Sequence, residues 1–341
     1  MSSRDVDCPL VTIRCTVFNH ENYLRQCLDG FVNQRTDFRF EAFVHDDAST
    51  DGSKSIIEEY AARFPDIIKP LYESENLFSK HDGSFRRATY DPKVLKGKYI
   101  ALCEGDDFWT DPHKLQKQVD FLESHPDYTM VCSRATLFSS RKGQYVGENY
   151  CQEKDGTLAI KDIVNRSGLF IPTCTIVFRK SLLDNYPDYC KRCVVGDYPL
   201  QIYAAMNGKV YYFNDIMATY RVENQGSWMG SQGWKTASDN NLKRVESMIK
   251  MFDGFAGDYP QYSRLLRSKI AQYLRDQMPC PKFDYDGYLK YTDYFKGYLK
   301  KESLLWKIDY SLRGTRLPFL KHYFFHSKFV VRKYERRILR Y

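Results

Sequence analysis

Within its first 72 residues the chain changes hydrophobic period four times, and few folds accommodate that. Leu10 to Phe18 alternates, with Val11, Ile13, Cys15 and Val17 on one side, as a strand does. Asn19-His20-Glu21-Asn22 ends that run and is placed to cap a helix, in which Tyr23, Leu24, Cys27, Leu28, Phe31 and Val32 recur at helical spacing. Phe40 to Val44 is strand-like again. Ser53 to Phe64 is helical, with Ile56, Ile57 and Tyr60 inward, and the hydroxyls and carboxylate of Ser49-Thr50-Asp51-Gly52-Ser53 can cap it. Ile67 to Tyr72 supplies a third strand before the polar loop Glu73-Ser74-Glu75-Asn76. Strand, helix, strand, helix, strand predicts a parallel sheet wrapped by helices.

The next apolar run, Tyr99 to Cys103, stops abruptly in Glu104-Gly105-Asp106-Asp107. Asp111-Pro112 then opens a helix in which Leu115, Val119 and Leu122 repeat. Open α/β sheets bind their ligands at the C-terminal edge of the strands, where this pattern sets the acids. Asp46-Asp47 ends an earlier strand, and right-handed crossovers bring both strand ends to one edge. One pair could then hydrogen-bond the base or ribose of a nucleotide, the other hold its diphosphate through a cation. Crowded carboxylates repel, and Mg²⁺ offsets this with one or two carboxylates plus substrate phosphates. Taken singly, each turn also reads as a solvated or helix-capping turn. The chain has no Walker lysine loop and no GxGxxG, which argues against P-loop and dinucleotide-binding proteins.

Further on, Thr129 to Phe138, Pro172 to Phe178, Val210 to Phe213 and Ile216 to Arg221 read as strands, and Ser139 to Gly156 as an irregular flap. Val194-Val195-Gly196-Asp197 enters a helix carrying Leu200, Ile202, Tyr203 and Met206, where capping is the plain role of Asp197. Leu242 to Phe252 and Leu265 to Met278 have helical periodicity, with breaks at Asp253-Gly254 and Pro279-Cys280-Pro281. The 341 residues allow one large or two modest domains. The 27 Tyr and 22 Phe suit sugar stacking and core packing alike. Ten irregularly spaced cysteines, several inside strand patterns, fit buried thiols better than disulfides, and Cys190-Lys191-Arg192-Cys193 reads more readily as coincidence than as a zinc or redox pair. No signal peptide pattern opens the chain, and no run of eighteen uncharged apolar residues spans a membrane, so a cytoplasmic location is expected.

Glu104-Gly105-Asp106-Asp107-Phe108-Trp109-Thr110-Asp111-Pro112, continuing through Lys114-Leu115-Gln116-Lys117-Gln118, resembles the acidic metal motif of family 2 glycosyltransferases, which have the GT-A fold. Val11-Thr12-Ile13 through Phe18-Asn19-His20-Glu21-Asn22-Tyr23-Leu24 resembles their first strand and helix, and His45 to Ser53 their second nucleotide-contacting turn. The resemblance implies a GT-A-like (Rossmann-like), mostly parallel α/β sheet flanked by helices. It implies Phe18, Asn19, Asp46, Asp47, Glu104 and Asp106 on the nucleotide, and Asp106 and Asp107 on Mg²⁺ or Mn²⁺. In inverting members the turn matched by Gly196-Asp197 carries the general base, which takes the proton of the acceptor hydroxyl. Tyr220 to Trp228 resembles the segment that closes over the diphosphate. Many relatives have a metal-binding histidine where this chain has Glu223 or Asn224, which leaves a third protein ligand open, with Glu223 the carboxylate that could serve.

The net charge is all in the tail. From Leu312 to Tyr341 nine Lys/Arg face the single acid Glu335, a net +8 that equals the charge of the whole chain. On a helix, Leu320, Phe324, Ser327, Val331, Tyr334 and Ile338 share one face, and Lys321, Lys328, Arg332, Arg336 and Arg340 the other. Such a helix can lie on an anionic membrane, at about 1 kcal/mol per basic residue, or pack on the body or another copy. No nucleic-acid fold signature accompanies it. The expected organisation is a nucleotide-sugar-binding domain over 1–234, a helical acceptor-side region over 235–311, and a basic tail over 312–341. The expected activity is inverting transfer from a nucleotide-diphospho sugar, UDP-linked, to a saccharide or lipid-linked saccharide of a bacterial surface polymer at the inner face of the plasma membrane. A nucleotidyltransferase and a non-catalytic nucleotide-sugar-binding protein are the rival readings.

Overall fold

The computed structural model describes residues 8–80, 83–91, 93–166, 170–223, 238–277 and 285–299. Its elements run β1 (Val11–Val17), α1 (Leu24–Val32), β2 (Phe40–Asp46), α2 (Ser53–Arg63), β3 (Ile68–Tyr72), α3 (Ser84–Thr89), β4 (Tyr99–Leu102), β5 (Phe108–Trp109), α4 (Lys114–Ser124), β6 (Tyr128–Ser139), β7 (Gln144–Asn149), β8 (Gly156–Thr157), α5 (Ile160–Arg166), β9 (Val177–Arg179), α6 (Asp188–Lys191), α7 (Asp197–Asn207) and β10 (Lys209–Val222). The helices α8 (Asp239–Asp258), α9 (Ser263–Gln277), α10 (Tyr285–Tyr294) and α11 (Lys296–Leu299) follow. The chain divides into two units, Met1–Gln232 with Gly257–Leu265, and Gly233–Ala256 with Leu266–Tyr341.

The first unit holds one sheet in the order β3-β2-β1-β4-β9-β6-β10-β5, with β7 on β6 and β8 on β10. β3, β2, β1 and β4 are parallel. The three-residue β9 lies antiparallel between β4 and β6, so β6 and β10 run in the same direction as the first four. One edge of the sheet therefore receives the C-terminal ends of six strands. β1 is buried along its whole length. Val11, Ile13, Cys15 and Val17 pack with Leu24, Cys27, Leu28 and Phe31 of α1 and with Leu115, Val119 and Leu122 of α4. The alternate side is polar but satisfied at Thr12, whose hydroxyl donates to Glu41 Oε1 at 3.1 Å and accepts from Gly97 N at 2.9 Å.

Several expected boundaries move, some for long-range and some for local reasons. Residues 173–175 form a 3₁₀ turn and only Val177–Arg179 is strand. The turn's carbonyls are taken by side chains instead of a ladder: Cys174 O by the Trp109 indole at 2.8 Å and Thr175 O by Gln118 Nε2 at 2.9 Å. The two strands expected over 210–221 are one strand, β10, whose pairing with β6 slips between Phe213 and Ile216. The expected flap contains β7, which forms a hairpin with β6. The helix expected from Asp111 begins at Lys114, while the Asp111 carboxylate accepts the His113 N–H at 2.8 Å. α8 continues through Asp253-Gly254 because the next turn buries Phe255.

In the second unit Leu242, Val245, Ile249 and Phe252 of α8 and Leu266, Ile270 and Leu274 of α9 are buried. Tyr291 of α10 donates to Leu274 O at 3.0 Å. The basic tail over 312–341, the Pro279-Cys280-Pro281 break and Asn224 lie outside the described residues. No disulfide joins the nine described cysteines, and all but Cys8 are buried. Among the described residues no helix is long and apolar enough to cross a membrane.

Lys114 is the unusual core residue. It is fully buried, donates to Gln118 Oε1 at 2.7 Å and sits 4.3 Å above the Trp109 ring. Burial pulls its ammonium down to about 8, against an ordinary 10.5. Between those values the unfolded chain binds the extra proton, so stability from this group rises with pH across that window. The unfolding free energy of wild type minus that of Lys114→Met should therefore grow by about 3 kcal/mol from pH 7 to pH 10.5. Groups that do not interact with Lys114 cancel in the difference. Urea melts giving a flat difference would show that Lys114 keeps its water.

Candidate active site

The turns after β1 and β2 are laced together, which explains their polar composition. Asn19 N–H donates to Ser49 Oγ at 2.9 Å, and Thr50 N–H to Asn19 Oδ1 at 2.8 Å. His20 N–H donates to Ser53 Oγ at 2.9 Å, Glu21 N–H to Asp51 Oδ2 at 3.0 Å, and Gly52 N–H to Glu21 Oε2 at 2.7 Å. The side chains of Asn19 and Glu21 thus serve the neighbouring turn, and α1 starts from Tyr23 with no side-chain cap, contrary to the expected capping. Asn19 at φ 56° and Ala48 at φ 61° are left-handed; asparagine tolerates this, whereas alanine is strained by about 1–3 kcal/mol.

Between the laced turns, Asp46 is 2% exposed and accepts Ser49 N–H at 3.3 Å. Asp47 is 1% exposed, and its two oxygens accept Leu77 N–H at 2.7 Å and Phe78 N–H at 3.0 Å. It ties down the segment after β3. Phe18, at the end of β1, is 44% exposed on the same edge.

β4 delivers the acids beside β1. Cys103 N–H bonds Arg14 O and Gly105 N–H bonds Thr16 O, so the turn leans over β1. Glycine is required there, because a β-carbon on Gly105 would stand 2.9 Å from both Val17 Cγ2 and His20 Nδ1. Glu104 Oε1 lies 3.8 Å from Arg14 Nη1, while Oε2 is buried with no hydrogen-bond partner among the described residues. Burial pushes the Glu104 carboxyl up to about 7; Arg14 opposes this, and Asp106 and Asp197 add to it. Asp107 is 2% exposed, and Oδ1 accepts Arg221 N–H at 2.8 Å. Burial holds it well above the carboxylate range, helped by Asp106 and opposed by that N–H.

Asp197 is the first residue of α7, and Oδ2 accepts the Thr173 hydroxyl at 3.3 Å. Burial raises its carboxyl, while the N–H groups of Tyr198 and of Asp197 itself, the Thr173 hydroxyl and Arg86 oppose. The structure brings Asp106, Asp107 and Asp197 into one electrostatic neighbourhood around Tyr220 of β10, whose phenol is held protonated first by burial and then by Asp107, Asp106 and Asp197; Glu104 joins it through Asp106 and Asp197. Asp46 and Asp47 share the edge two strands away.

Glu223 is turned elsewhere. Its carboxylate accepts from Ser139 Oγ and, at 2.9 Å, from Arg141 Nη2, which joins the end of β10 to the β6–β7 turn. Sequence reasoning passed over Arg14, Arg86 and Thr173, and took Arg221 only as part of the segment Tyr220 to Trp228. Arg221 donates to Asp106 O at 2.6 Å and to Gln26 Oε1, with its guanidinium 4.5 Å over Phe108. Arg14 alone had a visible signal, a charge inside an alternating apolar strand.

Among the described residues no three His, Cys, Asp or Glu are arranged to enclose a metal ion by themselves. The set still fits a hard cation shared with phosphates: carboxylate oxygens only, pressed together, with Glu104 Oε2 unpartnered.

The model of glycosyl transferase family 2 matches residues 12–186, just over half of the chain. The chain belongs to glycosyl transferase family 2. This glycosyltransferase is 34% identical over 242 residues to the protein Rv1520 of Mycobacterium tuberculosis (strain ATCC 25618 / H37Rv), covering 70% of this chain and 67% of that one. Its fold is similar to that of S. aureus TarS 1–349 in complex with UDP-GlcNAc, with TM-score 0.62 and 16% identity over 85% of this chain and 80% of that one. It is also similar to the mannosyltransferase PcManGT from Pyrobaculum calidifontis in complex with GDP-Man and Mn²⁺, with TM-score 0.54 and 15% identity over 92% and 82%. The expected mixed α/β, GT-A-like architecture with a helical C-terminal region is thus present. The matched range of this family 2 enzyme ends before Asp197 and Glu223.

Proposed function

We propose that the enzyme transfers a sugar with inversion from a UDP-sugar to a hydroxyl of a saccharide or lipid-linked saccharide, with Asp197 as general base. One observation carries the reading: a partly buried carboxylate whose proton affinity is raised opens α7 beside the acids of the β4 turn. A carboxylate in that condition is a stronger base than one in water. Asp197 would take the hydroxyl proton as the acceptor oxygen attacks the anomeric carbon from the face opposite the departing diphosphate. Asp46 and Phe18 would receive the base of the nucleotide, Asn19 and Glu104 the ribose side, and Asp47 would hold the 77–78 segment as a wall. Asp106 and Asp107 would hold Mg²⁺ or Mn²⁺, which when bound neutralises charge on the leaving diphosphate. Glu223, already engaged with Ser139 and Arg141, is left out of that set. A cytoplasmic enzyme whose basic tail over 312–341 rests on an anionic membrane would meet lipid-linked acceptors there.

The UDP-GlcNAc in TarS and the GDP-Man with Mn²⁺ in PcManGT supply the donors to test. In thermal shift with UDP-GlcNAc, UDP-glucose, UDP-galactose and GDP-mannose, a UDP-sugar should raise Tm with Mn²⁺ or Mg²⁺ and much less with EDTA. A ligand at a hundred times its Kd contributes about 2.7 kcal/mol. A response to GDP-mannose alone would remove the UDP assignment. Pyrophosphate release from a nucleoside triphosphate would favour a nucleotidyltransferase, and binding without turnover a non-catalytic protein.

A further inference from the structure

Arg86 has a geometry that the proposed chemistry does not yet use. It comes from α3, which begins after Gly83 at φ +83°, a left-handed entry that glycine adopts without strain. Its Nη1 donates to Cys190 O at 2.5 Å and to Lys191 O at 2.9 Å. These are the last carbonyls of α6, a helix of four residues; Cys190 O also accepts the Cys193 N–H at 3.2 Å, and the guanidinium supplies the donor to Lys191 O. The other end of the same guanidinium faces the far end of the run. The space before the Gly196 α-carbon opens onto Nη2, 3.9 Å from where a β-carbon would stand. Asp197 follows directly. The run from Cys190 to Gly196 is therefore held at its start by two hydrogen bonds and overlooked at its end by the same positive charge.

We propose that Arg86 is a positioning residue for the acceptor-side base: one guanidinium sets the course of the 190–196 run and stands as counter-charge beside the Asp197 carboxylate. The proposal rests on Asp197 being the base. It separates two jobs within this half of the site. Asp46 and Asp106 meet the donor, whereas Arg86 acts on the proton acceptor without touching the nucleotide. The pair Cys190 and Cys193 then serves as the buried side of a clamped turn, consistent with exposures of 0% and 3%.

The test compares full-length wild type, Arg86→Met, Arg86→Lys and Asp197→Asn, reading UDP release from UDP-GlcNAc with Mn²⁺. Misplacing a reacting group by an ångström costs about a hundred-fold in rate, so Arg86→Met should lower kcat by about ten- to a hundred-fold with donor KM nearly unchanged. Arg86→Lys, which keeps the charge and can reach one carbonyl, should recover part of the loss, and millimolar guanidinium should partly restore Arg86→Met. Wild-type kcat in Arg86→Met, or a loss that appears equally in donor KM and ignores guanidinium, overturns the proposal. Should Arg86→Met not fold, Arg86→Lys decides: an intermediate kcat at unchanged KM supports the role, and full activity rejects it. Full activity in Asp197→Asn would overturn the base itself. An inactive Asp197→Asn beside an unimpaired Arg86→Met would overturn only the role of Arg86.

Discussion

Asp197→Asn should lower transfer and donor hydrolysis about a thousand-fold while UDP binding stays within about two-fold, since general base catalysis contributes about 10²–10⁴. The amide has the same shape and can still accept the Thr173 hydroxyl, so the turn should hold. What it loses as structure is a negative charge at the first position of α7, worth about 0.3–1 kcal/mol against the helix dipole. That is too little to unfold the chain. Initial rates beside calorimetric titration of UDP separate the two effects. The wild-type rate should also fall on the acidic side at a pH above that of an exposed aspartate, because burial raises the folded-state affinity of Asp197 for a proton and only the ionised form accepts one. Glu104, pushed up to about 7, titrates in the same neighbourhood, so the acidic limb belongs to the cluster. A variant with rates near wild type would move the base elsewhere.

Trp109→Ala should be strongly destabilising to the first unit, at about 4–8 kcal/mol. Trp109 is 4% exposed, meets Phe31 edge-on at 4.9 Å, lies under the Lys114 ammonium and donates to Cys174 O. Removing a buried tryptophan costs about 3–5 kcal/mol through lost contacts and a cavity, and an orphaned carbonyl adds about 1–3. Gly30 of α1 lies flush against the Trp109 backbone, with a β-carbon position 3.0 Å from Trp109 N, a contact that the alanine variant keeps. Trp109→Phe, which keeps a ring and loses the indole N–H, should cost about half as much. Urea midpoints decide it; a loss below about 1 kcal/mol for the alanine variant would mean that this ring does not organise the region. Because Cys174 lies in the 173–175 turn that faces Asp197 through Thr173, activity should fall ahead of global unfolding.

The two expectations draw on different kinds of information. The apolar alternation of Val11 to Val17, the helical spacing of Leu24 to Phe31 and the strand stop at Glu104-Gly105-Asp106-Asp107 are local patterns, and a strand buried on both faces beside amphipathic helices has little freedom in where it can go. They were legible residue by residue, as was the edge on which the acids end. The 3₁₀ turn at 173–175 was not, because its carbonyls are claimed by Trp109 and Gln118, more than fifty residues away. Nor was the diversion of Glu223 to Ser139 and Arg141, the β7 hairpin, or the hold of Arg86 on Cys190 and Lys191 across about a hundred residues. Periodicity records which side of an element is buried, so the chain alone determined the parallel half of the sheet and the clustering of acids along one rim. Which carboxylate is unpartnered, which is tied to an N–H and which cation stands behind it depend on partners joined only by folding, and only the tertiary structure decided them.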